Sequence, residues 1–568
     1  MALERQNLIR RIDQALGRET ADLVIRNTRF LNLASGEIAR GDIAICGDLI
    51  VGTYEHYRGK REIDGTDLIV APGFIDTHVH VESSCVTPGE FDRCVLPKGT
   101  TTAICDPHEI ANVLGLEGLR YFLDSAEGLA MDLRVQLSSC VPATGLETSG
   151  ATLLAEDLVP LRDHPKVIGL AEFMNFPGIF AHDPVVLDKL CAFDGWHIDG
   201  HAPLVSGHEL NAYCACHIRN CHESTGLEEA REKMRKGMQV LIRDGSVSRD
   251  VAALAPLIDE FNAPFISFCT DDRNPLDIAE AGHMDHLIRS AIAAGAPPLA
   301  VYRAATWSAA QSFGLRDRGL VAPGYRADLV LLNDLESCSV QQVIAGGRLV
   351  DEGIFENRRL IAPVGRNSIR LDKVEASAFA VPSPGPGGPV IGVIANSIIT
   401  EHLSMALPYR DGCRQADPEN DVLKVCVFNR HGGPKRVGRG FVKGFGFRQG
   451  AIASSVGHDS HNVIVIGADD RDMAVAVNHL IDIGGGFVVV KDGQVLADLP
   501  LPLAGLISDR PHDQVRERLR QLRAGADGIG CVLEEPFLQM AFLPLPVIPH
   551  LKITDHGLVD VDNFRLVA

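Results

Sequence analysis

The sequence contains no run of about 20 apolar residues, the length that a membrane-spanning helix needs. Its first residues, MALERQNLIRRIDQALGRE, form a charged amphipathic pattern without the apolar core of a signal peptide. The 14 cysteines are scattered through apolar surroundings, where a reduced thiol behaves as a small hydrophobic side chain. We therefore expect a cytoplasmic protein that does not associate with membranes.

An excess of positive charge is also missing. Lys and Arg number 54 against 74 Asp and Glu, which gives a formal net charge of −20. Proteins that bind nucleic acid or anionic membranes are usually basic, so a neutral small molecule is the expected partner.

The segment CACHIRNCH has C-x-C and C-x4-C spacings, which differ from the paired C-x2-C frames of common structural zinc sites.

A chain of 568 residues is too long for one hydrophobic core and predicts several domains. Residues 1–20 predict a helical extension. Short strand patterns with Gly and Asp turns in residues 21–71 and 316–365 predict one small β-domain built from both flanks of the central region. Residues 366–568 predict a C-terminal α/β domain, and VPSPGPGGP at 381–389 predicts a linker or exposed loop.

The central region, residues 72–315, alternates short apolar runs with longer helical patterns, as parallel βα units do. The runs are FIDTHVHVE, TTAICDPHE, RVQLSSCVP, VIGLAEFMN, WHIDGHAP, RNCHES, QVLIRDGS and FISFCTDD. Eight units in roughly 240 residues match a (β/α)₈ TIM-type barrel. The predicted fold is therefore an α/β barrel flanked by the small β-domain and the C-terminal α/β domain.

The carboxyl ends of barrel strands share one face, where catalytic residues gather. Alternate residues of a strand point the same way, so the first run predicts a pair of imidazoles on one side. Six strand-end residues are competent ligands for divalent metals: His78, His80, Glu172, His201, His222 and Asp271. Their number is enough for two ions.

We expect His78, His80 and Asp271 to bind the first ion. His201 and His222 would bind the second, and Glu172 would bridge both ions through its two oxygens. Paired ions lower the pKa of bound water and supply hydroxide at neutral pH, which hydrolysis of an unactivated C–N bond requires. Such donors accept Mn, Fe and Zn alike.

Several motifs together resemble the adenine deaminase family of the amidohydrolase superfamily. They are PGFIDTHVHVESS, ICDPHEIANV, GLAEFMN, GHAP, CHES, VLIRDGS, FCTDDR, VGHDSHN and LPLPVIPHLKITDHGLVD. The resemblance covers essentially the whole chain except about twenty N-terminal residues. It implies hydrolysis of adenine to hypoxanthine and ammonia by a metal-bridged hydroxide, commonly with Mn²⁺ or Fe²⁺, and Zn²⁺ is possible. Where many relatives carry a carboxylated lysine, this chain has Glu172, whose carboxylate is chemically equivalent.

Within this resemblance, Asp271 is expected to take the proton of the hydroxide and deliver it to the departing amine. Glu223 is the expected proton donor to ring N1, although strand alternation argues against it unless the strand end is irregular. Four residues are expected to bind the substrate: Arg243, Asp244, Ser246 and His458. The alternative for Glu223 is a simple salt bridge. The alternative for Arg243, Asp244 and Ser246 in LIRDGS is a hydrogen-bond network within the loop.

A polar cluster on the second strand, Asp106, His108 and Glu109, is expected either to orient the ligand histidines or to add a metal contact.

The expected assembly is a homodimer or higher homo-oligomer, and the expected pathway is purine salvage. Two alternatives to the adenine reaction remain. One is an amidohydrolase that acts on a cyclic amide or another nucleobase, and the other is a barrel that serves only as an interaction scaffold.

Overall fold

The structure, a computed structural model, describes residues 4–356 and 358–567. The chain starts with helix α1 (Arg5–Ala15), which packs against strands of the first sheet. The five strands that follow are β1 (Ala21–Asn32), β2 (Glu37–Cys46), β3 (Leu49–Thr53), β4 (Gly59–Asp64) and β5 (Ile69–Pro72). Their inward-facing apolar side chains form a small core together with apolar residues from 321–344.

A strand lies at each of the eight runs of the central region. They are β6 (Phe74–Val79), β7 (Thr100–Cys105), β8 (Asp132–Leu137), β9 (Val167–Phe173), β10 (His197–Gly200), β11 (Asn220–Cys221), β12 (Gln239–Arg243) and β13 (Ile266–Cys269). Strands β6 to β10 form a five-stranded sheet, β11 to β13 form a three-stranded sheet, and every pairing in both sheets is parallel.

The two parallel sheets meet at the carboxyl ends of β6 and β13. Asp271 N donates to His78 O at 3.0 Å, and His80 N donates to Asp271 O at 3.0 Å. At the other junction, Gly200 N donates to the side chain of Asn220 at 2.7 Å. The result is a curled parallel α/β arrangement whose polar strand ends lie on one side, and a fully closed barrel stays a prediction.

Helices follow the central strands. They are α2 (Pro88–Val95), α3 (His108–Leu114), α4 (Leu116–Ala126), α5 (Ala155–Leu158), α6 (Phe176–Phe180), α7 (Pro184–Ala192), α8 (Gly207–Ala215), α9 (Leu227–Arg235), α10 (Val251–Leu254), α11 (Pro275–Glu280), α12 (Met284–Ala293), α13 (Pro298–Arg303) and α14 (Ala309–Ser312). The side chain of Asn274 accepts hydrogen bonds from the first backbone N–H groups of α11. The capped helix therefore begins at Pro275, four residues after Asp271.

Three strands after the central region return to the first sheet: β14 (Leu329–Leu332), β15 (Val340–Ala345) and β16 (Arg348–Leu349). Strand β14 pairs antiparallel with β5 and completes a sheet of eight strands. Strands from both flanks therefore build one sheet around the central region. The domain bounds themselves stay predictions.

Helix α15 (Glu352–Glu356) follows β16, and the C-terminal region adds helices α16 (Asp470–Ile483), α17 (His512–Ile529) and α18 (Pro536–Ala541). Its strands are β17 (Val381–Pro382), β18 (Gly387–Val393), β19 (Thr400–Ala406), β20 (Tyr409–Arg410), β21 (Cys413–Arg414), β22 (Val422–Phe428), β23 (Val437–Lys443), β24 (Ala451–Ser454), β25 (Val463–Gly467), β26 (Gly486–Lys491), β27 (Gln494–Pro500), β28 (Leu551–Thr554), β29 (Gly557–Asp560) and β30 (Arg565–Leu566). Its main sheet has eight strands in the order β19-β18-β23-β22-β25-β24-β26-β27.

The prediction of a loop over residues 381–389 is wrong in part, because β17 and the start of β18 lie there. Strand β18 pairs with β19 along its whole length, so cross-strand hydrogen bonds outweigh the local turn preference of Pro and Gly. One continuous apolar cluster runs from Phe74 and Phe122 in the central region to Phe487 and Leu501 in the C-terminal region. This shared core fixes the C-terminal region against the strand ends.

Candidate active site

The first functional feature is the histidine pair of β6. His78 lies within the strand, and His80 follows its last residue, so both imidazoles project to the same side. Their Nε2 atoms are 3.2 Å apart, and the two side chains are 0% and 4% exposed. His80 Nδ1 lies 3.0 Å from the backbone oxygen of Asp106, which leaves Nε2 free to bind a metal.

Two carboxylates complete this donor set. Glu172 Oε1 lies 3.3 Å from His80 Nε2 and 3.6 Å from His78 Nε2. Asp271 Oδ1 lies 3.1 Å from His80 Nε2 and 3.5 Å from His78 Nε2. Ligand atoms bound at about 2.1 Å in tetrahedral or octahedral geometry are about 3.0–3.4 Å from one another. These four donors therefore fit one divalent ion.

The second oxygen of Glu172 faces a second donor set. Glu172 Oε2 lies 2.6 Å from His201 Nδ1 and 3.3 Å from His222 Nε2. Glu223 Oε1 lies 3.3 Å from the same His222 nitrogen. Because Glu172 offers one oxygen to each set, its carboxylate lies where a bridge between two ions would lie.

Opposite charges shift the pKa values of His80 and Glu172 in this set. Burial alone would lower the pKa of His80, but Asp271 and Glu172 outweigh it and raise that pKa well above its usual value. Burial alone would raise the pKa of Glu172, yet His201 and His222 hold it well below its usual range. Divalent cations binding here would replace the imidazolium protons as the charges that neutralise these carboxylates.

Arg243, at the end of β12, connects three carboxylates. Its guanidinium is fully buried and pairs with Glu223 through two nitrogens, and it reaches Asp271 Oδ2 at 2.9 Å and Asp250 Oδ2 at 3.4 Å. Burial would raise the pKa of Glu223, but Arg243 and the nearby imidazoles hold it below its usual range. Arg243 therefore keeps Glu223 ionised and fixes one oxygen of Asp271.

The position of Glu223 depends on where β11 ends. This strand stops at Cys221, so the backbone of the next two residues no longer alternates as a strand. The side chains of His222 and Glu223 consequently both line the cavity above the strand ends. The irregular strand end that the Glu223 prediction requires is present.

The C-terminal region supplies the opposite wall of this cavity. His458 Nδ1 lies 2.6 Å from Glu109 Oε1, and His461 also pairs with Glu109. The ring of His458 stacks on Phe542 with centroids 4.6 Å apart. Burial would lower the pKa of His458, but Glu109 and Asp272 outweigh it and raise that pKa to about 9. His458 is thus a buried cation at the edge of the cavity.

Comparison with known proteins assigns both halves of the chain. Residues 69–350 match the amidohydrolase family, and residues 397–565 match the adenine deaminase C-terminal domain. An adenine deaminase of Methylobacterium nodulans is 61% identical and aligns over 99% of each chain. An adenine deaminase of Brucella anthropi is 60% identical over 99% of this chain and 100% of its own length. This chain belongs to the adenine deaminase family.

Family membership agrees with the resemblance inferred from the motifs. The amidohydrolase family is metal-dependent, and the buried donor sets around Glu172 match that dependence. Over residues 4–356 and 358–567, no helix combines the length and the apolar character that crossing a bilayer requires.

Asp244 and Ser246, which are expected from the sequence to bind substrate, lie outside the cavity at the donor sets. Asp244 Oδ1 faces Arg273 and His286, at 3.9 Å from each. Ser246 Oγ accepts hydrogen bonds from the backbone and side chain of Asn274 at 3.2 Å. Among the described residues, neither lines the cavity at the donor sets, whereas Arg243 and His458 do. The hydrogen-bond network inferred as the alternative for LIRDGS is present at Ser246, whereas Asp244 Oδ1 is buried without a hydrogen-bond partner among the described residues, and a substrate role for either residue stays a prediction.

The cluster of the second strand joins the donor sets to the C-terminal wall. His108 Nδ1 lies 2.8 Å from Asp106 Oδ2 and 3.6 Å from Glu172 Oε1. Its Nε2 lies 3.4 Å from both Glu109 Oε1 and Asp459 Oδ1. His108 therefore contacts the bridging carboxylate on one side and the C-terminal region on the other.

Sequence reasoning missed several residues at this site. Asp199 Oδ2 lies 3.6 Å from His78 Nδ1, and its other oxygen lies 2.7 Å from His197 Nε2. Because Asp199 comes two residues before His201, strand alternation alone could have identified it. The apolar wall had no such signal, and it consists of Met174, Ile398, Phe542 and Leu545.

Proposed function

We propose that this chain hydrolyses adenine to hypoxanthine and ammonia with two divalent metal ions. The observation that carries the proposal is the carboxylate of Glu172, whose two oxygens face two buried donor sets in one cavity. Curated relatives that are about 60% identical over the full chain are adenine deaminases, and this supports the choice of substrate.

The proposed ligands of the first ion are His78, His80 and Asp271, and those of the second ion are His201 and His222. Glu172 would bridge both ions. When bound, the two ions lower the pKa of water so that hydroxide is available at neutral pH. Mixed imidazole and carboxylate donors favour borderline divalent ions, and we propose Mn²⁺ or Fe²⁺, with Zn²⁺ as the other candidate.

Hydrolysis transfers both protons of one water molecule, one to ring N1 and one to the departing amine, while its oxygen bonds to C6. Arg243 and the imidazoles lower the pKa of Glu223, so Glu223 is ionised and must first accept a proton before it can donate one to N1. Asp271 faces His78 and His80 with one oxygen and Arg243 with the other. We assign to Asp271 the second proton, which goes to the amine as the C6–N bond breaks.

His458 is the proposed substrate contact from the C-terminal region. Glu109 holds its Nδ1, and its Nε2 is buried without a hydrogen-bond partner among the described residues. A buried imidazolium N–H of this kind can donate to a ring nitrogen of the base. Asp244 and Ser246 lie outside the cavity at the donor sets, so this proposal gives them no contact with the reacting ring, and Ser246 Oγ is held by Asn274.

The remaining proposals concern the setting of the reaction. We propose a closed eight-stranded barrel at 72–315, a β-domain at 21–71 plus 316–365, a C-terminal domain at 366–568 and an N-terminal extension at 1–20. A homodimer or higher oligomer, a role in purine salvage and a cytoplasmic location complete the proposal. The 14 cysteines are all unpaired, which supports a reducing compartment.

The test is ammonia release by protein reconstituted with Mn²⁺, Fe²⁺ or Zn²⁺, with adenine, guanine, adenosine and a cyclic amide as substrates. We expect adenine to be converted to hypoxanthine with equal amounts of ammonia, and bound metal to approach two ions per chain. Release from a cyclic amide but not from adenine would identify a different amidohydrolase. Reconstituted protein that binds no metal and releases no ammonia would support the scaffold interpretation.

A further inference from the structure

Two cavities adjoin at the carboxyl ends of the strands. The central cavity contains the metal-donor atoms and has a volume of about 20 Å³. A space of this size holds about one water molecule. The side cavity has a volume of about 180 Å³ and shares three wall residues with the central one: Glu223, Arg243 and Ile398.

The side cavity lies between the central region and the C-terminal region. Leu204, Thr225 and Asp250 line it from the central region, and Asn396 and Ile548 line it from the C-terminal region. The lining mixes apolar side chains such as Ile398 and Ile548 with polar and charged ones such as Thr225 and Asp250. Small-molecule sites often lie where domains meet and combine apolar surface with polar groups that fix the orientation of the ligand. A flat heterocycle that carries hydrogen-bonding groups suits such a lining.

The size of the central cavity limits how a purine can bind. Its reacting carbon must approach the donor sets, but a cavity that holds about one water has space for the attacking water and for neither ring. The adjoining space beyond Glu223 and Arg243 is the side cavity. A purine that presents C6 to the donor sets from the side cavity therefore has its six-membered ring next to Glu223 and Arg243 and its five-membered ring deeper in the side cavity.

The guanidinium of Arg243 lies between the two cavities. On one side it pairs with Asp271 at the donor sets, and on the other it pairs with Asp250 in the wall of the side cavity. Asp250 Oδ2 is used by this contact, and no hydrogen bond to Oδ1 occurs among the described residues. A carboxylate oxygen without a partner is therefore available in the side cavity to accept from a ligand N–H.

We propose that the side cavity is the subsite for the imidazole ring of the purine and that Asp250 accepts a hydrogen bond from its N–H. This inference rests on the proposed function and adds the orientation of the base. Ile398, which lines both cavities, packs on the ring. A base alkylated at N9 lacks the N–H and leaves the carboxylate unpaired, so the site rejects it.

The experiment compares adenine with 9-methyladenine in wild type, Asp250→Ala, Asp250→Asn and Ile398→Ala. Each metal-loaded protein is assayed for kcat and KM, and adenine binding is measured separately by calorimetry. We expect Asp250→Ala to raise KM for adenine by about tenfold or more with little change in kcat, since a hydrogen bond to a charged group is lost. Asp250→Ala should also increase kcat/KM for 9-methyladenine relative to adenine by about tenfold, because the carboxylate that the alkylated base leaves unpaired is gone, and Asp250→Asn should fall between wild type and Asp250→Ala. Ile398→Ala should raise KM for both bases alike.

The matched control is Ile394→Ala, because Ile394 belongs to the same segment as Ile398 but is 41% exposed. It should behave as wild type, and equal metal content in all variants excludes damage to the donor sets. Unchanged discrimination between the two bases in the Asp250 variants, or an unchanged KM in Ile398→Ala, would overturn the subsite. If wild type binds adenine but releases no ammonia, the proposed function fails, and dependence of that binding on Asp250 would still support the subsite. Absence of adenine binding would overturn both.

Discussion

The cavity has two unlike walls. The strand ends of the central region contribute charged donors, with Glu172, Asp271 and the four histidines all buried. The C-terminal region contributes a mainly apolar wall that includes Ile398, Phe542 and Leu545. The comparison separates two tasks: the central region provides the groups that bind metal and move protons, and the C-terminal region encloses the substrate.

The walls are also held differently. Opposite charges fix the donor sets, because each carboxylate lies within about 4 Å of at least one imidazole nitrogen. On the C-terminal side, buried Lys552 donates to the backbone oxygens of Ile398 and Phe542 at 2.7 and 3.0 Å. Changes on the first wall should therefore alter metal content and turnover, and changes on the second should alter substrate binding.

The largest expected effect follows removal of the bridging charge. Glu172→Gln keeps the shape but loses the anion that faces both donor sets, so bound metal should fall below two ions per chain. Turnover should fall by more than the roughly 10–100-fold that changes around the ligands cause. Elemental analysis and ammonia release measure both quantities, and a Glu172→Gln protein with two tightly bound ions would contradict the bridge.

Asp271→Asn should have the next largest effect. Asparagine retains an oxygen ligand but cannot accept a proton, so much of the metal should remain while turnover falls by about 10²–10⁴-fold. The assay compares metal content with kcat for adenine. Near-normal turnover would remove Asp271 from the proton path.

A change on the C-terminal wall should have a smaller and different effect. Lys552→Met keeps the length of the side chain but leaves the carbonyls of Ile398 and Phe542 without their donor, so this wall should loosen. We expect KM for adenine to rise by about tenfold or less, with bound metal unchanged. A variant that loses metal but retains its KM would contradict the division between the walls.

The smallest expected effect is a dependence of stability on pH. The pKa of His458 is raised to about 9 in the folded protein, against about 6.5 for an unperturbed histidine. Its contact with Glu109 therefore stabilises the fold fully below about pH 6.5, and this contribution is lost as the pH rises through about 9. The difference in unfolding midpoint between wild type and His458→Gln should shrink from pH 6 to pH 10. A constant difference would show that His458 does not titrate in this range.

Much of the charged wall could be predicted from the sequence. Residue type and strand alternation were sufficient to select His78 and His80, and ligand types at the ends of later runs added Glu172, His201, His222 and Asp271. The structure brings these six side chains together, although their role as metal ligands stays a proposal. Alternation was less useful for Glu223, because β11 is only two residues long and the strand pattern stops before it.

The sequence by itself determined the order of strands and helices, the family and the residue types at the strand ends, because these depend on local periodicity and short motifs. Only the tertiary structure decided that Arg243 pairs with Glu223, Asp250 and Asp271. It placed Asp244 and Ser246 outside the cavity at the donor sets. It also decided that Ile398 and Phe542, distant in sequence, face the strand ends. These contacts depend on how the C-terminal region packs against the central one, and local periodicity carries no information about such long-range packing.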